Sequence, residues 1–133
     1  MNALPRLVGT ALAECLRVMP AVVVTGAHQT GKSTLAEHLV PGARRYASLD
    51  DLDVLDAARR DREVLMGGAG PMTLDEVQRA PELLSAVKRA IDRDRTPGRF
   101  LLTGSANLLP LLLMRHVSES LAGRASYLTL WRA

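Results

Sequence analysis

The sequence has little of what would place it in several large protein classes. Its 133 residues include one cysteine, Cys15, so no internal disulfide can form, and the apolar helical pattern around it predicts a packed thiol. Aromatic residues make up only 3%, which provides no aromatic platform for stacking nucleic-acid bases. The longest apolar runs, such as LLPLLLM, fall far short of the roughly 20 residues needed to cross a bilayer, and no leader segment is recognisable. We therefore expect a cytoplasmic protein without a membrane anchor.

The chain also lacks a large excess of charge of either sign. The formal net charge is +3, and acids interleave with the basic residues, as in KRAIDRDR, a pattern typical of solvated helix faces. The three histidines do not have the spacing of metal ligands. Composition therefore does not indicate a nucleic-acid partner, although binding of nucleic acid stays open as an added property.

Strand-like and helix-like segments alternate along the chain. Continuously apolar strands joined by helices predict an α/β fold in which a parallel sheet has helices on both faces, and such sheets bind ligands beyond the carboxyl ends of their strands. We predict helices at residues 4–18, 31–40, 51–66, 80–94 and 107–123, and strands at 21–25, 44–50, 71–76, 99–105 and 125–131.

A glycine loop follows the first predicted strand and satisfies the pattern G-x-x-x-x-G-K-[ST]. Its glycines let successive backbone N–H groups point at an anion, and the helix that begins at the second glycine adds its positive end. The lysine can reach the β- and γ-phosphates, and the serine hydroxyl can bind Mg²⁺. The predicted nucleotide-binding residues are Gly26, Ala27, His28, Gln29, Thr30, Gly31, Lys32, Ser33 and Thr34.

An acid pair, Asp75 and Glu76, ends the third predicted strand. Beside a phosphate loop, the first acid can hold Mg²⁺ and the second can polarise the attacking water. Adjacent strand residues point to opposite sides, which suits two separate roles. We therefore predict Ser33 and Asp75 as metal ligands and Glu76 as the catalytic base, assisted by Lys32.

Further polar residues are candidates for sensing or stabilising the phosphates. The fourth strand ends in LLTGSAN, where a polar side chain would lie between the loop and the acid pair. Ser105 and Asn107 are the favoured candidates there and Thr103 a weaker one, while Asn107 can equally cap the next helix. Arg124 follows a glycine that can end a helix, and an arginine there could act on the nucleotide of a neighbouring copy.

Taken together, these motifs resemble the AAA+ ATPases. The stretches GAHQTGKSTLAEHL, LDEVQRAPELLSAVKRAIDRDRTPGRFLLTGSANLL and VSESLAGR are similar to the bacterial and archaeal AAA-type ATP-binding proteins that carry an uncharacterised C-terminal domain. This resemblance implies a three-layer P-loop NTPase core with sheet order 5-1-4-3-2, ATP with Mg²⁺ as ligands, and Arg124 as an arginine finger in a homo-oligomer.

Two features depart from that family. His28 stands in the loop where the family often has arginine, and we expect the helical lid and C-terminal domain of the family to be missing, since two residues follow the fifth predicted strand. Residues 1–133 are accordingly expected to form a single ATP-binding core, for which a separate protein could supply the C-terminal domain.

Three functions stay open from the residues. The first is a Mg²⁺-dependent ATPase, which Glu76 favours. The second is a nucleotide-binding module that does not hydrolyse ATP, which the missing lid favours. The third is a small-molecule kinase, which the acid pair at the third strand disfavours because it is more typical of ATPases.

Overall fold

A computed structural model describes residues 4–26, 44–61, 70–80, 82–105 and 124–130 of the chain. Within these ranges it contains three α-helices, one short 3₁₀ helix and five strands. The helices are α1 (Leu4–Val18), α2 (Leu52–Arg60) and α3 (Leu83–Arg93), with the 3₁₀ helix at Val77–Arg79. The strands are β1 (Ala21–Gly26), β2 (Arg45–Ser48), β3 (Met72–Asp75), β4 (Phe100–Ser105) and β5 (Ala125–Leu130).

The five strands form one parallel sheet in the order β2-β3-β4-β1-β5. This is the predicted order 5-1-4-3-2 read from the other edge, so the α/β class and the sheet order are both confirmed. Strand β1 lies between β4 and β5, and its last residue, Gly26, pairs with Ser105 and Leu130. The carboxyl ends of β1, β4 and β3 therefore meet at one edge of the sheet.

Two apolar clusters cover the two faces of the sheet, because alternate strand residues point to opposite sides. On one face, α1 packs on the sheet through a small cluster consisting of Leu12, Leu16, Val22, Val24 and Leu101, with Cys15 partly buried against it. On the other face, α2, α3 and the 3₁₀ helix pack on a larger cluster that includes Val23, Leu74, Phe100 and Leu102. The result is three layers, as predicted.

The amino-terminal edge of the sheet is held by polar contacts. Arg44, just before β2, donates to the carbonyl oxygens of Gly98 at 2.7 Å and Met72 at 2.9 Å and to Thr73 Oγ1 at 3.1 Å. Partial burial lowers the pKa of this guanidinium, which nevertheless stays charged. Gly98 N–H in turn donates to Met19 O at 2.9 Å, which ties the end of α1 to the start of β4.

Some element boundaries differ from the prediction. Helix α2 ends at Arg60 rather than at residue 66, because Asp61 adopts an extended conformation (φ −154°, ψ 93°) while its N–H still donates to Ala57 O. Strand β2 ends at Ser48, after which Leu49 and Asp50 form a turn. The predicted helices at 31–40 and 107–123 lie outside the described residues. Among the described helices, none has the length and apolarity needed to span a membrane.

Candidate functional site at the carboxyl edge of the sheet

Asp75, the last residue of β3, has a nearly buried carboxylate with 4% relative exposure. Three hydroxyl groups donate to it from the two flanking strands. Tyr46 Oη lies 3.0 Å and Ser48 Oγ 3.3 Å from Oδ2, while the Thr103 hydroxyl on β4 donates to Oδ1. These contacts satisfy a buried charge that would otherwise be costly, and they fix the plane of the carboxylate.

The polar residues around Asp75 share one face of the sheet. The register pairs Ser48 with Asp75 and Tyr46 with Thr73, and the period of two places all four side chains on the same side. This is the face that carries α1 further along the sheet, where its residues are apolar. Sequence reasoning singled out Asp75 but not Tyr46 or Ser48; the alternating polar residues of RYAS and MTLD were the signal available for them.

Glu76 follows Asp75 in a left-handed backbone conformation, with φ 59° and ψ 47°. It is the one residue other than glycine with positive φ in the described parts of the chain, and the residue is 5% exposed. Its N–H donates to Thr103 Oγ1 at 3.4 Å, and the Gln78 amide donates to its Oε2. L-residues rarely adopt this conformation, and when they do the strain often lies at a functional site. The strand therefore ends between the two acids.

Thr103 joins the two acids from β4. Its side chain is 1% exposed, and its single hydroxyl group donates to Asp75 and accepts the N–H of Glu76. The sequence indicated that a polar residue near the end of this strand would contact the site, but it favoured Ser105 and Asn107 over Thr103. Ser105 is described only as the last residue of β4, and Asn107 lies outside the described residues.

Gly26, the first residue of the predicted phosphate loop, lies at the same edge of the sheet as the acid pair. It is the last residue of β1, and β4 alone separates β1 from β3. Two strand spacings of about 4.8 Å put the ends of β1 and β3 roughly 10 Å apart. The rest of the loop, namely Ala27, His28, Gln29, Thr30, Gly31, Lys32, Ser33 and Thr34, lies outside the described residues.

Arg124 lies at the opposite edge of the sheet. Its carbonyl oxygen accepts the N–H of Ala21, the first residue of β1, at 3.1 Å. The length of β1 then separates Arg124 from Gly26 by roughly 16 Å at about 3.3 Å per residue. Its Nε donates to Asp92 Oδ1 on α3 at 2.7 Å, and this hydrogen bond holds the pKa of Asp92 below its ordinary value. The structure thus does not bring Arg124 together with the acid pair of its own chain.

The donor set at this edge suits a hard cation. In the described parts of the chain no group of three or more His, Cys, Asp or Glu side chains is arranged to hold a metal ion. Asp75 instead offers one oriented carboxylate. Mg²⁺ is commonly held by one or two carboxylates together with substrate phosphates, so a single oxygen ligand from the sheet fits this ion.

The class of P-loop nucleotide-binding proteins is defined by a parallel sheet of order β2-β3-β4-β1-β5, a glycine-loop sequence that starts at the end of β1, and an acid pair at the end of β3. Comparison with known proteins narrows the class. The sequence model of a family described as "AAA domain" matches residues 19–132. The chain therefore belongs to the AAA domain family and has an AAA-type P-loop NTPase core.

Relatives share this region as part of longer proteins. Two uncharacterized proteins, one from Mycobacterium tuberculosis and one from Mycobacterium bovis, are 37% identical to the chain over 121 residues. The match covers 90% of this chain but 26% of each relative. The chain thus spans about a quarter of the length of the curated relatives it matches.

Solved structures with the same fold include the Walker-type ATPase of Pyrococcus abyssi, with a TM-score of 0.63 and 19% identity over 94% of this chain and 52% of that one. The P-loop NTPase domain of an Escherichia coli sigma-54 transport activator has a TM-score of 0.59 and 20% identity, over 93% of this chain and 91% of the domain. At these identities the likeness establishes the fold alone.

Proposed function

We propose that this domain binds ATP together with Mg²⁺ and hydrolyses it. The backbone amides of residues 27–34 and the Lys32 ammonium would hold the phosphates, and Ser33 and Asp75 would hold the metal. When bound, Mg²⁺ neutralises charge on the phosphate oxygens. Glu76 would accept a proton from the water that attacks the terminal phosphorus, with ADP as the leaving group. Ser105 and Asn107 would contact the γ-phosphate from the end of β4.

The observation that carries this proposal is the geometry of the acid pair. Asp75 is held rigidly by hydroxyl groups from both neighbouring strands, and the backbone turns into a left-handed conformation immediately after it. Both acids lie at the sheet edge where the glycine loop begins, about two strand spacings away. One acid is thus hydrogen-bonded within the sheet and the other is the first residue after the strand, which supports separate roles for the two.

Phosphate release from ATP by the purified chain tests the proposal. Lys32→Ala is expected to abolish nucleotide binding, whereas Glu76→Gln is expected to retain binding and to lower turnover by 100-fold or more, in line with the usual contribution of about 10²–10⁴ from a general base. Arg59→Ala and Glu14→Gln remove exposed charges from α2 and α1, and we expect both to behave as the wild type. If the wild type releases phosphate and Glu76→Gln releases it equally fast, Glu76 is not the base.

A nucleotide-binding module without hydrolysis is the alternative. It is favoured by the amide of Gln78, which donates to Glu76 Oε2 and so occupies an oxygen atom that a base would use to accept the proton of the water. The same assay separates the two functions. Binding of ATP that depends on Lys32, with no phosphate release by the wild type above that of a protein-free blank, would establish the alternative.

We further propose that Arg124 serves the nucleotide of a second copy. Its place at the amino-terminal edge of β5, roughly 16 Å from Gly26, supports a role outside its own site. If this is so, specific activity rises with protein concentration, and mixing Arg124→Ala with Lys32→Ala chains restores turnover that neither has alone. A separate protein carrying the C-terminal domain remains a second proposed partner.

A further inference from the structure

Tyr46, on the edge strand β2, donates its hydroxyl group to the buried carboxylate of Asp75. Tyr46 is 40% exposed, whereas Asp75 is 4% exposed, and their side chains meet at 3.0 Å between Oη and Oδ2. The register places Tyr46 beside Thr73 rather than beside Asp75. The tyrosine therefore reaches diagonally along the strand to a residue two positions further on, which a long aromatic side chain can do.

This diagonal contact completes a fixed frame around the carboxylate. Ser48 and Tyr46 approach Oδ2 from β2, and Thr103 approaches Oδ1 from β4 on the other side. Carboxylates that bind metals are usually oriented by hydrogen bonds of this kind, and loss of such a partner typically costs 10–100-fold in metal affinity. The ring alone could serve the edge strand as a β-forming residue, but the hydroxyl group adds nothing to that role.

We propose that Tyr46 is a positioning residue for magnesium, which acts through Asp75 and does not touch the nucleotide. This inference rests on the proposed function, because it assumes that Asp75 holds Mg²⁺. It assigns a task to a tyrosine that lies outside both the glycine loop and the acid pair. The Tyr46 phenol donates to Asp75 Oδ2 and thereby fixes the direction in which the carboxylate would face the metal.

Tyr46→Phe isolates the hydroxyl group, because it keeps the ring on the edge strand. Binding of a fluorescent ATP analogue is titrated first in EDTA and then at increasing Mg²⁺. We expect affinity in EDTA to equal that of the wild type, and the Mg²⁺ concentration for half-saturation to rise about tenfold. Ser48→Ala removes the other donor to Oδ2 and should shift the same quantity in the same direction. Ser85→Ala removes an exposed hydroxyl group on α3. It should change neither the affinity in EDTA nor the Mg²⁺ concentration for half-saturation.

The background of Asp75→Asn shows whether the tyrosine acts through the carboxylate. In that background Tyr46→Phe should have no further effect on the Mg²⁺ dependence. An effect that persists there, or an equal loss of affinity with and without Mg²⁺, would overturn the positioning role. Thermal unfolding of each variant shows that the fold is retained.

The two proposals fail in different ways. If the wild type binds no nucleotide, the proposed function fails and the role of Tyr46 fails with it. If the wild type binds with a clear Mg²⁺ dependence and Tyr46→Phe has an unchanged Mg²⁺ dependence, only the role of Tyr46 fails.

Discussion

Thr103 on β4 donates its hydroxyl proton to Asp75 at the end of β3, across the boundary between two strands. The same oxygen accepts the N–H of Glu76 at 3.4 Å. One buried hydroxyl group thus contacts both members of the acid pair. Its position makes the relative placement of Asp75, the proposed metal ligand, and Glu76, the proposed base, depend on β4, the strand that lies between β3 and β1.

Replacing Thr103 with valine should damage both the fold and the site. Valine keeps the shape of the side chain but leaves the buried Asp75 Oδ1 and Glu76 N–H without this partner. Hydrogen bonds to charged groups contribute about 1.5–3 kcal/mol, so we expect the free energy of unfolding to fall by about 2 kcal/mol in urea denaturation. Turnover should fall as well. Thr103→Ser keeps the hydroxyl group and should be close to the wild type in stability and in turnover. If Thr103→Ser loses as much of both as Thr103→Val, the loss is not explained by the hydroxyl hydrogen bonds.

The left-handed backbone of Glu76 predicts a conflict between stability and activity. Asparagine tolerates this conformation better than other residues with a Cβ, and strain of this kind costs about 1–3 kcal/mol. We expect Glu76→Asn to raise the free energy of unfolding by about 1 kcal/mol relative to Glu76→Gln, which keeps the strain. Both variants should lose hydrolysis. Chemical denaturation of the two side by side measures the difference, and equal stabilities would show that the backbone at this position is not strained.

Much of this arrangement could be predicted from the sequence, because it depends on local patterns. Three of the patterns span only a few residues each: the apolar run of β1, the glycines that begin at its end, and the acids at the end of β3. The alternation of helices and strands then predicts a parallel sheet. The order of the strands came from the family resemblance. All these signals agree with one another, which explains why the class of fold and the position of the acid pair were predicted correctly.

What was missed depends on contacts between distant residues. The hydrogen bond of Tyr46 to Asp75 joins positions 29 apart, and no local pattern encodes it. The 3₁₀ helix Val77–Arg79 follows from the left-handed turn at Glu76, a conformation that glutamate rarely adopts. The end of α2 at Arg60 was missed because the sequence continues with residues that favour helix and has no glycine until Gly67.

The ion pair between Arg124 and Asp92 predicts a pH dependence of stability. The hydrogen bond from Arg124 lowers the pKa of Asp92, aided by Lys88 and opposed by partial desolvation. A carboxyl group whose pKa is depressed in the folded state stabilises the fold above its ordinary pKa of about 3.9, and this contribution is lost as pH falls through the lower, folded value.

Asp92→Asn should therefore have a slightly lower Tm than the wild type at neutral pH, and the two should converge in acid. The effect should be small and should also shrink at high salt, because the pair is partly exposed. Asp56→Asn, which removes the exposed partner of Arg60 on α2, is the matched control and should change Tm by less. A difference between Asp92→Asn and the wild type that is constant from neutral to acid pH would contradict the assignment.

Gly98 provides a test at the edge of the sheet remote from the site. Its φ is +77°, and an added Cβ would lie 2.9 Å from the backbone carbonyl oxygen of Leu16 in the last turn of α1. The unfavourable conformation alone costs about 1–2 kcal/mol, and the rigid carbonyl cannot move aside without displacing α1, so Gly98→Ala should lower the free energy of unfolding by at least about 2 kcal/mol. Gly70→Ala, where an added Cβ meets no atom within 4 Å, should be neutral or slightly stabilising.

Nucleotide affinity, measured well below Tm, should be unchanged in both variants, because Gly98 lies at the amino-terminal edge and the predicted phosphate loop begins at the carboxyl edge. Equal stability of the two variants would show that α1 and the start of β4 do not pack as closely as this turn requires.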